Sequence, residues 1–437
     1  MLANFYDVIV IGAGPAGLAA ALASDKHNTK TLLIEREANL GGTLKQCIHE
    51  GFGAVKFGEN LTGPEYAQRY VSQLEESHVE TALLSFVTKI IKQPFGFSIT
   101  LVNTDGIVNI ACKSIVLACG CRERTSRQIG IHGRHSAGVI TAGTAQYYTN
   151  VLGKMPTKRC VVLGSGDVGL IAARSLKQEG ADVLGVFEAM PAPSGQLRNV
   201  YQCLDDFDIP LYTSKTITRV FGEGRLNAVE VSSVDNDMEP IPGTEQIIEC
   251  DALILSVGLI PENELAESLD ISINENTKGP VTDQDYMTML DGVFCCGNAL
   301  HVNDLVDYVS ENGEAAGHAA ARWAITGWIN ARRNGTSTFA EITTDDSLLY
   351  IVPQRLNIGK IISPTTFYFR SRKEMGQSLL SVTLNGNEIY RKIYPRFHPP
   401  ETERLVLDFE ELNIDNGSTV NFSLSQVTDT SAAYSAA

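Results

Sequence analysis

Asp7-Val8-Ile9-Val10-Ile11-Gly12-Ala13-Gly14-Pro15-Ala16-Gly17 is the stretch that decides the fold of this 437-residue chain. Residues 8–11 are consecutive β-branched residues, which predict a fully buried strand. The glycines that follow let the backbone turn tightly and approach a pyrophosphate closely. A helix over residues 16–23 would then present its N-terminal amides to the phosphates. The stretch therefore predicts the turn of a dinucleotide-binding unit.

The sequence after this turn supplies the context that an isolated glycine pattern lacks. Residues 31–34 predict a second strand, and Glu35 closes it 18 residues after Gly17. A carboxylate at about this distance is placed to accept a hydrogen bond from a ribose hydroxyl. An ordinary strand-turn-helix with chance glycines has no reason to carry an acid there, so the pattern favours a nucleotide site.

A second stretch, Cys160-Val161-Val162-Leu163-Gly164-Ser165-Gly166-Asp167-Val168-Gly169, repeats the same architecture. A helix is predicted over residues 170–179 and a strand over residues 183–187, closed by Glu188 19 residues after Gly169. This duplication indicates two nucleotides. Because a carboxylate accepts from a free 2′-hydroxyl and repels a 2′-phosphate, Glu188 favours NAD over NADP, although Arg198 leaves NADP open.

Composition and charge restrict the possible partners. The net charge of −16 argues against nucleic acid or an anionic membrane as partner, since either calls for a basic patch. No run of 18 or more apolar residues occurs, so no transmembrane segment is expected. The chain enters its first strand too early for a cleavable leader, and its nine irregularly spaced cysteines suggest reduced thiols. A cytoplasmic location is the expectation.

The last part of the chain has a different character. From residue 338 onward, short strand-like runs occur at 348–352, 366–370, 379–384, 388–393, 404–409 and 419–424. The pair Asn385-Gly386 is a strong hairpin signal.

We therefore expect an α/β protein with two Rossmann-like three-layer domains, the second inserted in the first, and a small C-terminal all-β domain. The expected boundaries are 1–120 with 279–330, 121–278, and 338–425, followed by a disordered tail at 426–437.

The order of these motifs resembles the two-dinucleotide flavoproteins of the pyridine-nucleotide–disulfide reductase-like superfamily. The resemblance covers about residues 5–328 and includes residues 115–120 (Ile-Val-Leu-Ala-Cys-Gly) and residues 292–298 (Gly-Val-Phe-Cys-Cys-Gly-Asn). Residues 42–53, 120–125, 202–210 and 301–310 are similar, more narrowly, to one group of FAD/NAD(P)-binding oxidoreductases. These accompany a glycerol-3-phosphate dehydrogenase-like flavoprotein and are related to the large subunits of opine oxidase, hydrogen cyanide synthase and sarcosine oxidase.

The resemblance implies FAD on the first unit and NAD on the second. Gly12, Gly14 and Gly17 would hold the FAD pyrophosphate, Glu35 the adenosine ribose, and Gly42 and Thr43 the ribityl side. Asn298 stands where relatives usually carry a ribityl-binding aspartate. The other residues implied for FAD are Pro15, Ala16, Arg36, Val87, Gly120, Gly297 and Asp307. Those implied for NAD are Gly164, Gly166, Asp167, Val168, Gly169, Glu188 and Gly258.

The cysteine pattern argues against the family's disulfide chemistry. In the thioredoxin reductase branch a CxxC pair lies just before the nicotinamide domain, but here residues 138–145 read Gly-Val-Ile-Thr-Ala-Gly-Thr-Ala. Cys119 and Cys121 alternate along an extended chain and should point to opposite faces, so we interpret them as packing residues, together with Cys295 and Cys296. No set of four ligands has the spacing of an iron–sulfur or zinc site.

Three residues are candidates for catalysis. Cys47 and His49 lie on a loop expected near the isoalloxazine, where a thiolate could contact the flavin and an imidazole could transfer a proton. The alternative is that Cys47 packs and His49 makes a local hydrogen bond. His301 follows the Gly-Asn turn as a candidate acid/base, while Asp304 and Asp307 can be explained as helix N-caps.

The sequence therefore predicts an FAD- and NAD-dependent oxidoreductase without a redox-active disulfide. The resemblance implies a subunit that exchanges electrons with a partner flavoprotein or iron–sulfur protein in a complex that oxidises glycerol 3-phosphate, or an amine or opine. An oligomer is compatible with this. Two alternatives stay open: a self-contained NADH oxidase or peroxidase using Cys47 or the reduced flavin, and a scaffold that binds nucleotides only as structural ligands.

Overall fold

The first sheet is built around the strand that precedes the first glycine turn. The computed structural model describes residues 2–134, 136–327, 338–359 and 364–427. Five strands of this sheet run parallel, in the order Glu80–Ala82, Thr31–Ile34, Phe5–Ile11, Gly106–Leu117 and Val293–Cys295. Since Val293–Cys295 follows the whole second unit in the chain, the second unit is inserted in the first, as predicted.

An antiparallel meander extends the same sheet. Phe86–Gln93 pairs with Gly96–Asn103, which pairs with the first half of Gly106–Leu117. Gly106–Leu117 is a single strand of 12 residues. The strand is continuous because its first half extends the meander while its second half lies in the parallel sheet beside Phe5–Ile11.

Helices cover this sheet. The long ones are Pro15–Asp25, Gly63–Glu75 and Val306–Arg322, with Glu264–Glu267 as a single turn. Thr62 and Glu65 form a reciprocal capping box at the start of Gly63–Glu75. Helical turns span Gly42–Gln46, Gly297–Ala299 and Trp323–Gly327, and a small hairpin joins Glu50–Phe52 to Leu61–Thr62. The two chain crossings between the units pair as antiparallel strands, Cys121–Glu123 with Leu259–Pro261.

The second unit has the same layered construction. Its parallel sheet has the order Val139–Thr141, Ala252–Leu255, Arg159–Leu163, Asp182–Phe187 and Leu211–Tyr212. One face packs on the helices, Ala142–Gln146, Asp167–Gln178 and Leu197–Cys203. The other face packs on a four-stranded sheet, His132–Gly133, Lys215–Gly222, Leu226–Ser233 and Gln246–Glu249. Shorter helical turns lie at Ser126–Ile129, Tyr147–Val151 and Asp205–Phe207.

The C-terminal part is an all-β domain with its own core. One sheet has the order Arg355–Asn357, Phe339–Thr344, Thr419–Gln426, Ser378–Leu384 and Asn387–Tyr394. The other has the order Leu348–Val352, Thr365–Ser371 and Glu403–Leu407. Phenylalanines such as Phe367, Phe369 and Phe422 fill the space between the two sheets. Gln426 ends a strand rather than starting a tail, and residues 428–437 lie outside the described residues, as do residues 328–337.

Candidate active site

The first glycine turn has the geometry that a pyrophosphate requires. Gly12 has φ +100°, and a Cβ there would lie 2.4 Å from the Ala118 carbonyl oxygen. A Cβ on Gly17 would lie 1.7 Å from the Gly12 oxygen, so this glycine permits the helix to approach the strand. Gly14, in contrast, has an ordinary φ of −72° and nothing within 4 Å of its Cβ position. Gly12 and Gly17 therefore serve the fold, and Gly14 leaves open space above the helix N-terminus.

Glu35 is held rigidly beside this turn. Its side chain is buried, and its Oε2 accepts a hydrogen bond from the Ala13 amide at 2.8 Å. Its Oε1 accepts from the Glu37 amide at 2.9 Å. These bonds fix the carboxylate between the glycine turn and the loop after the second strand.

A cavity of about 830 Å³ crosses the carboxyl ends of the parallel strands. Its Glu35 end is formed by Glu35, Arg36, Ser85 and Val87, and its Asn298 end by Cys47, Cys121, Asn298, Asn303 and Asp304. These ends lie on opposite sides of the glycine turn, because the strand before Glu35 and the strand before Asn298 are three positions apart in the sheet. With strands about 4.8 Å apart, the cavity spans at least roughly 14 Å. An extended dinucleotide needs a site of this shape.

Most residues predicted for FAD meet on the wall of this cavity. Gly297 does not line it, because it packs against Ala16, where an added Cβ would lie 2.7 Å from the Ala16 methyl. Asp307 is buried behind the wall and accepts from the Val55 amide at 3.0 Å. The predicted residues that line the cavity are Gly12, Gly14, Pro15, Ala16, Glu35, Arg36, Gly42, Thr43, Val87, Gly120 and Asn298.

The cavity also carries a polar atom that fits a bound cofactor. The buried oxygen Asn303 Oδ1 has no hydrogen-bond partner among the residues that the structure describes. Asn303 belongs to the Asn298 end, while Gly14 provides an open cradle in the middle of the cavity. Unpaired buried polar groups are costly, so the position of this oxygen beside a cavity favours a polar ligand there. The site thus fits an FAD-sized dinucleotide.

Cys47 lies on the cavity wall as a protonated thiol. Burial raises its pKa to about 11, and its Sγ donates to the Thr43 carbonyl oxygen at 3.4 Å. The thiolate is the nucleophilic form of cysteine. At neutral pH this side chain is therefore protonated, and an activated thiolate is not a property of the site as folded.

Cys119 and Cys121, which the sequence indicated to be packing residues, also line the cavity. Gly120 has φ +75°, so residues 119–121 do not continue as an extended strand, and both Cys119 and Cys121 reach the wall. Cys119 contacts the Ile11 carbonyl oxygen at 3.9 Å, and Cys121 accepts from Asn298 Nδ2 at 3.6 Å. Burial raises the pKa of each thiol, to about 12 and about 11. Cys295 and Cys296 are fully buried, as expected for packing residues.

His49 is absent from the wall of this cavity and lies toward the second unit. Its Nδ1 is 3.0 Å from the Glu50 carbonyl oxygen, and its ring lies 5.0 Å from that of Phe52. Burial lowers the pKa of His49, with smaller effects from the neighbouring charges of Arg174, Asp167 and Arg198. These neighbours belong to the two helices beside the second glycine turn, so the structure does not bring His49 together with Cys47 at the cavity.

His301 is corrected from a candidate acid/base to a buried packing residue. Its side chain is fully buried, and its ring lies 5.6 Å from Tyr350 and 5.5 Å from Tyr368 of the C-terminal domain. Burial, with a smaller contribution from the positive charge of Arg370, lowers its pKa to about 3. The ring is neutral at physiological pH and is not part of the cavity wall. The sequence could not show this, because the burying residues come from a separate domain.

The second glycine turn repeats the geometry of the first. Gly164 has φ +99°, and Gly169 allows the helix to approach Gly164, whose oxygen would lie 2.4 Å from an added Cβ. Gly166 has an ordinary φ of −63° and only the Ser194 hydroxyl, 3.9 Å from its Cβ position, as a neighbour. The other residues predicted for NAD lie close to this turn or on the chain crossing. Asp167 accepts a hydrogen bond from the Gln196 amide, and the Val168 side chain is exposed. Gly258 has φ +100° and lies near Arg124.

Glu188 is buried and enclosed by donors that the sequence analysis did not identify. Its Oε2 accepts from the Ser165 amide at 3.0 Å, from the Ser165 hydroxyl at 2.5 Å and from the Ser194 hydroxyl at 3.0 Å. Its Oε1 accepts from the Met190 amide at 3.0 Å. Ser165 lies within the glycine motif, so its contact with Glu188 could have been predicted from the sequence. Ser194 was not, because only folding of the 189–196 loop brings it to Glu188.

Every cation on the wall of the large cavity is paired with a carboxylate. Arg36 lies 3.2 Å from Glu262, and Arg122 lies 2.6 Å from Glu264. Lys45 forms an ion pair with Glu37 and also donates to the Asn39 carbonyl oxygen. Each is partly exposed, so these pairs contribute little to stability. They do leave the described part of the wall without a free cation for a small anionic substrate.

Comparison with known proteins identifies the family. The family model of pyridine nucleotide-disulphide oxidoreductases matches residues 6–324. The chain belongs to this family, whose members are FAD- and NAD(P)-dependent oxidoreductases. Among the described residues there is no cluster that could hold a metal ion and no helix long and apolar enough to cross a membrane.

Individual relatives are distant. A thioredoxin reductase of Treponema pallidum (strain Nichols) is 27% identical over 328 residues, covering 74% of this chain and 98% of the relative. An opine oxidase subunit of Agrobacterium tumefaciens (strain Ach5) is 24% identical, covering 74% of this chain and 66% of the relative. A crystal structure of T. acidophilum thioredoxin reductase superposes with a TM-score of 0.62 at 21% identity, covering 74% of this chain and all of that one. This last likeness shows the fold alone.

Proposed function

We propose that this chain is the nicotinamide-facing subunit of a larger dehydrogenase and exchanges hydride between NAD(H) and FAD without a redox-active disulfide. One observation carries the proposal. The helix Ala142–Gln146 of the second unit contacts the cavity wall, where Gln46 Nε2 donates to the Gly143 carbonyl oxygen at 3.1 Å. No cysteine occurs between Cys121 and Cys160, so this contacting element carries no dithiol. All nine cysteines of the chain are unpaired.

The residues of the two glycine turns would bind the two cofactors. Under this proposal Gly14 and the N-terminus of helix Pro15–Asp25 hold the FAD pyrophosphate, Glu35 holds the adenosine ribose, and the Asn298 end receives the flavin. Gly166 and Glu188 serve the nicotinamide nucleotide in the same way. FAD, when bound, accepts two electrons as a hydride and can release them singly. The wall keeps its cysteines protonated and its cations paired, so the protein's part is binding and orientation.

The charges on the wall support a partner subunit for the oxidised metabolite. Five carboxylates and three cations line the described cavity, and the three cations are all paired. A small phosphate ester such as glycerol 3-phosphate would meet a net negative surface here. We propose that the assembly oxidises glycerol 3-phosphate, with an amine or opine as the less favoured metabolite. The oxidation would take place in a partner flavoprotein or iron–sulfur protein. The relatives named as subunits support an assembly, and a cytoplasmic location stays a prediction.

Anaerobic stopped-flow absorbance tests this division of labour. The purified, FAD-loaded chain is mixed with NADH and, separately, with glycerol 3-phosphate. We expect rapid bleaching of the flavin by NADH and none by glycerol 3-phosphate. Bleaching by glycerol 3-phosphate alone would place the metabolite site in this chain, and reduction by dithionite but not by NADH would favour the scaffold alternative.

NADH should be preferred over NADPH. Glu188 lies where the adenosine ribose of the nicotinamide nucleotide is expected, and a carboxylate there repels a 2′-phosphate. We expect the apparent Kd for NADPH to exceed that for NADH by at least about tenfold, equivalent to about 1.4 kcal/mol. Flavin reduction rates over a range of nucleotide concentrations measure both constants. Equal constants would show that Arg198 or another cation compensates the charge of Glu188.

Cys47 should be dispensable for flavin reduction by NADH. Because it lies on the cavity wall, the alternative of an NADH peroxidase that uses Cys47 is tested in the same experiment. Because burial raises its pKa to about 11, the thiol is protonated at pH 7 and becomes a thiolate only as the pH approaches that value. A Cys47→Ser variant should retain the wild-type rate of flavin reduction by NADH within about twofold. Peroxide-dependent NADH oxidation that is rapid in the wild type and absent in the variant would establish the peroxidase function instead.

A further inference from the structure

The C-terminal β domain contacts the loop that forms part of the Asn298 end of the cavity. This domain lies outside the family match, which ends at residue 324. The loop, residues 300–305, follows the Gly-Asn turn and places Asn303 and Asp304 on the cavity wall. Its contacts with the domain are made by a group of side chains centred on Arg370.

Arg370 binds this loop at two points. Its Nη2 donates to the Val302 carbonyl oxygen at 3.0 Å and lies 3.7 Å from Asp304 Oδ1. Its Nε donates to the Thr402 hydroxyl at 3.0 Å, and the Thr402 amide in turn donates to Asp304 Oδ1 at 3.2 Å. The side chains of Arg370 and Asp304 are only 16% and 17% exposed, so solvent screens this pair less than a surface pair. The backbone and one side chain of the loop are thereby fixed by the same guanidinium group.

The loop passes this constraint to the cavity through Asn303. The Asn303 amide donates to Asn298 Oδ1 at 3.0 Å, and its Nδ2 donates to the His301 carbonyl oxygen at 2.9 Å. Asn298, thus oriented, directs its own Nδ2 toward Cys121, which lines the same end of the cavity. Arg370 therefore holds Val302 by a hydrogen bond and Asp304 by an ion pair, and these two residues flank Asn303 in the chain. Asn303 in turn is hydrogen-bonded to Asn298.

We propose that Arg370 is a positioning residue of the flavin site: it fixes loop 300–305 from the C-terminal domain and so sets the orientation of Asn298. Arg370 does not line the cavity, so its effect on the cofactor is indirect. The domain thus supports the Asn298 end from outside, while the residues that line the cavity all lie within the family match. Its presence in the chain then has a reason within the FAD-binding unit itself.

Arg404 provides a matched control in the same interface. It lies opposite Tyr368 on the strand paired with that of Arg370. It binds Glu311 with two hydrogen bonds, of 2.9 Å from Nε and 2.5 Å from Nη2. Glu311 lies on helix Val306–Arg322 and is not part of the cavity wall. Removing Arg404 therefore loosens the docking of the domain without removing a direct contact to the loop.

The test compares Arg370→Met with Arg404→Met in the full-length protein. The readouts are the Kd for FAD from fluorescence titration, the visible circular dichroism of the bound flavin, and the melting temperature without FAD. We expect Arg370→Met to raise the Kd at least about tenfold and to change the flavin signal. Arg404→Met should lower the melting temperature by a similar amount while keeping the Kd within about twofold and the flavin signal unchanged. Arg370→Lys, which keeps the charge beside Asp304, should restore part of the affinity.

A milder variant keeps the proposal testable if Arg370→Met does not fold. Thr402→Val removes one hydrogen bond to Arg370 at nearly constant volume, and we expect a smaller change in the same direction in both flavin readouts. An unchanged Kd and flavin signal in Arg370→Met would overturn the proposal. If Arg370→Met does not fold, an unchanged Kd and flavin signal in Thr402→Val would overturn it instead. It would also be overturned if Arg404→Met reproduced both changes, because the domain would then act only through its general stability.

Discussion

A Gly14→Val variant is expected to fold normally and to lose FAD. Gly14 has an extended conformation that valine adopts readily, and nothing lies within 4 Å of its Cβ position, so the free energy of unfolding without FAD should change by no more than about 0.5 kcal/mol. The branched side chain would instead fill the space proposed for the pyrophosphate. We expect the Kd for FAD to rise at least about 100-fold, equivalent to about 2.7 kcal/mol. Fluorescence titration of the apoprotein measures it.

Gly166→Val is the matched control in the second unit. It has the same conformation and only the Ser194 hydroxyl nearby, at 3.9 Å. This variant should purify with FAD and an unaltered flavin spectrum but show flavin reduction by NADH slowed at least about 100-fold at limiting NADH. If Gly14→Val kept its FAD, or if Gly166→Val lost FAD as well, the assignment of one cofactor to each glycine turn would be wrong.

A Gly313→Ala variant should be strongly destabilised, although the same change stabilises most helices. In an open helix interior it contributes about 1 kcal/mol in favour of folding. Here the added Cβ would lie 2.1 Å from the Ala16 carbonyl oxygen and within 2.8 Å of two further backbone atoms of helix Pro15–Asp25. Backbone atoms cannot move aside as a flexible side chain can. We expect a loss of about 3 kcal/mol in the free energy of unfolding, measured by urea denaturation.

Gly317→Ala should behave in the same way, because its Cβ would lie 2.2 Å from the Ala20 oxygen one turn further along the helix pair. Since Ala16 also lines the cavity, Gly313→Ala should weaken FAD binding more than Gly317→Ala does. Unchanged or increased stability in both variants would show that the two helices are further apart than the structure places them. Gly180→Ala would be a poor control, because Gly180 has φ +96° and strains any side chain.

Local spacing determined what the sequence could predict. The glycine turns, Glu35 and Glu188 are each set by a few adjacent residues, so their positions followed from the pattern of strand, turn and acid. The duplicated motif predicted the two nucleotide-binding units. The hairpin at Asn385-Gly386 is confirmed between strands Ser378–Leu384 and Asn387–Tyr394. In these cases the physical constraint acts over one supersecondary unit.

What the sequence could not predict depends on contacts between distant segments. His301 is buried by Tyr350 and Tyr368, which lie about 50 and 70 residues away in another domain. Cys121 reaches the cavity because Gly120 has a positive φ, which the extended-chain argument did not consider. The donors around Glu188 and the Arg370 contacts to loop 300–305 likewise appear only when separate elements pack together. Residue spacing carries no information on such contacts.

The most direct test of the central claim is an anaerobic titration of the FAD-loaded protein with NADH. An enzyme that has FAD and no redox-active disulfide takes up two electrons per flavin. One equivalent of NADH should therefore reduce the flavin completely, with no gain in the number of thiols that react with a disulfide reagent after denaturation. Consumption of two equivalents, with two new thiols, would contradict the central claim and would make this chain a disulfide reductase.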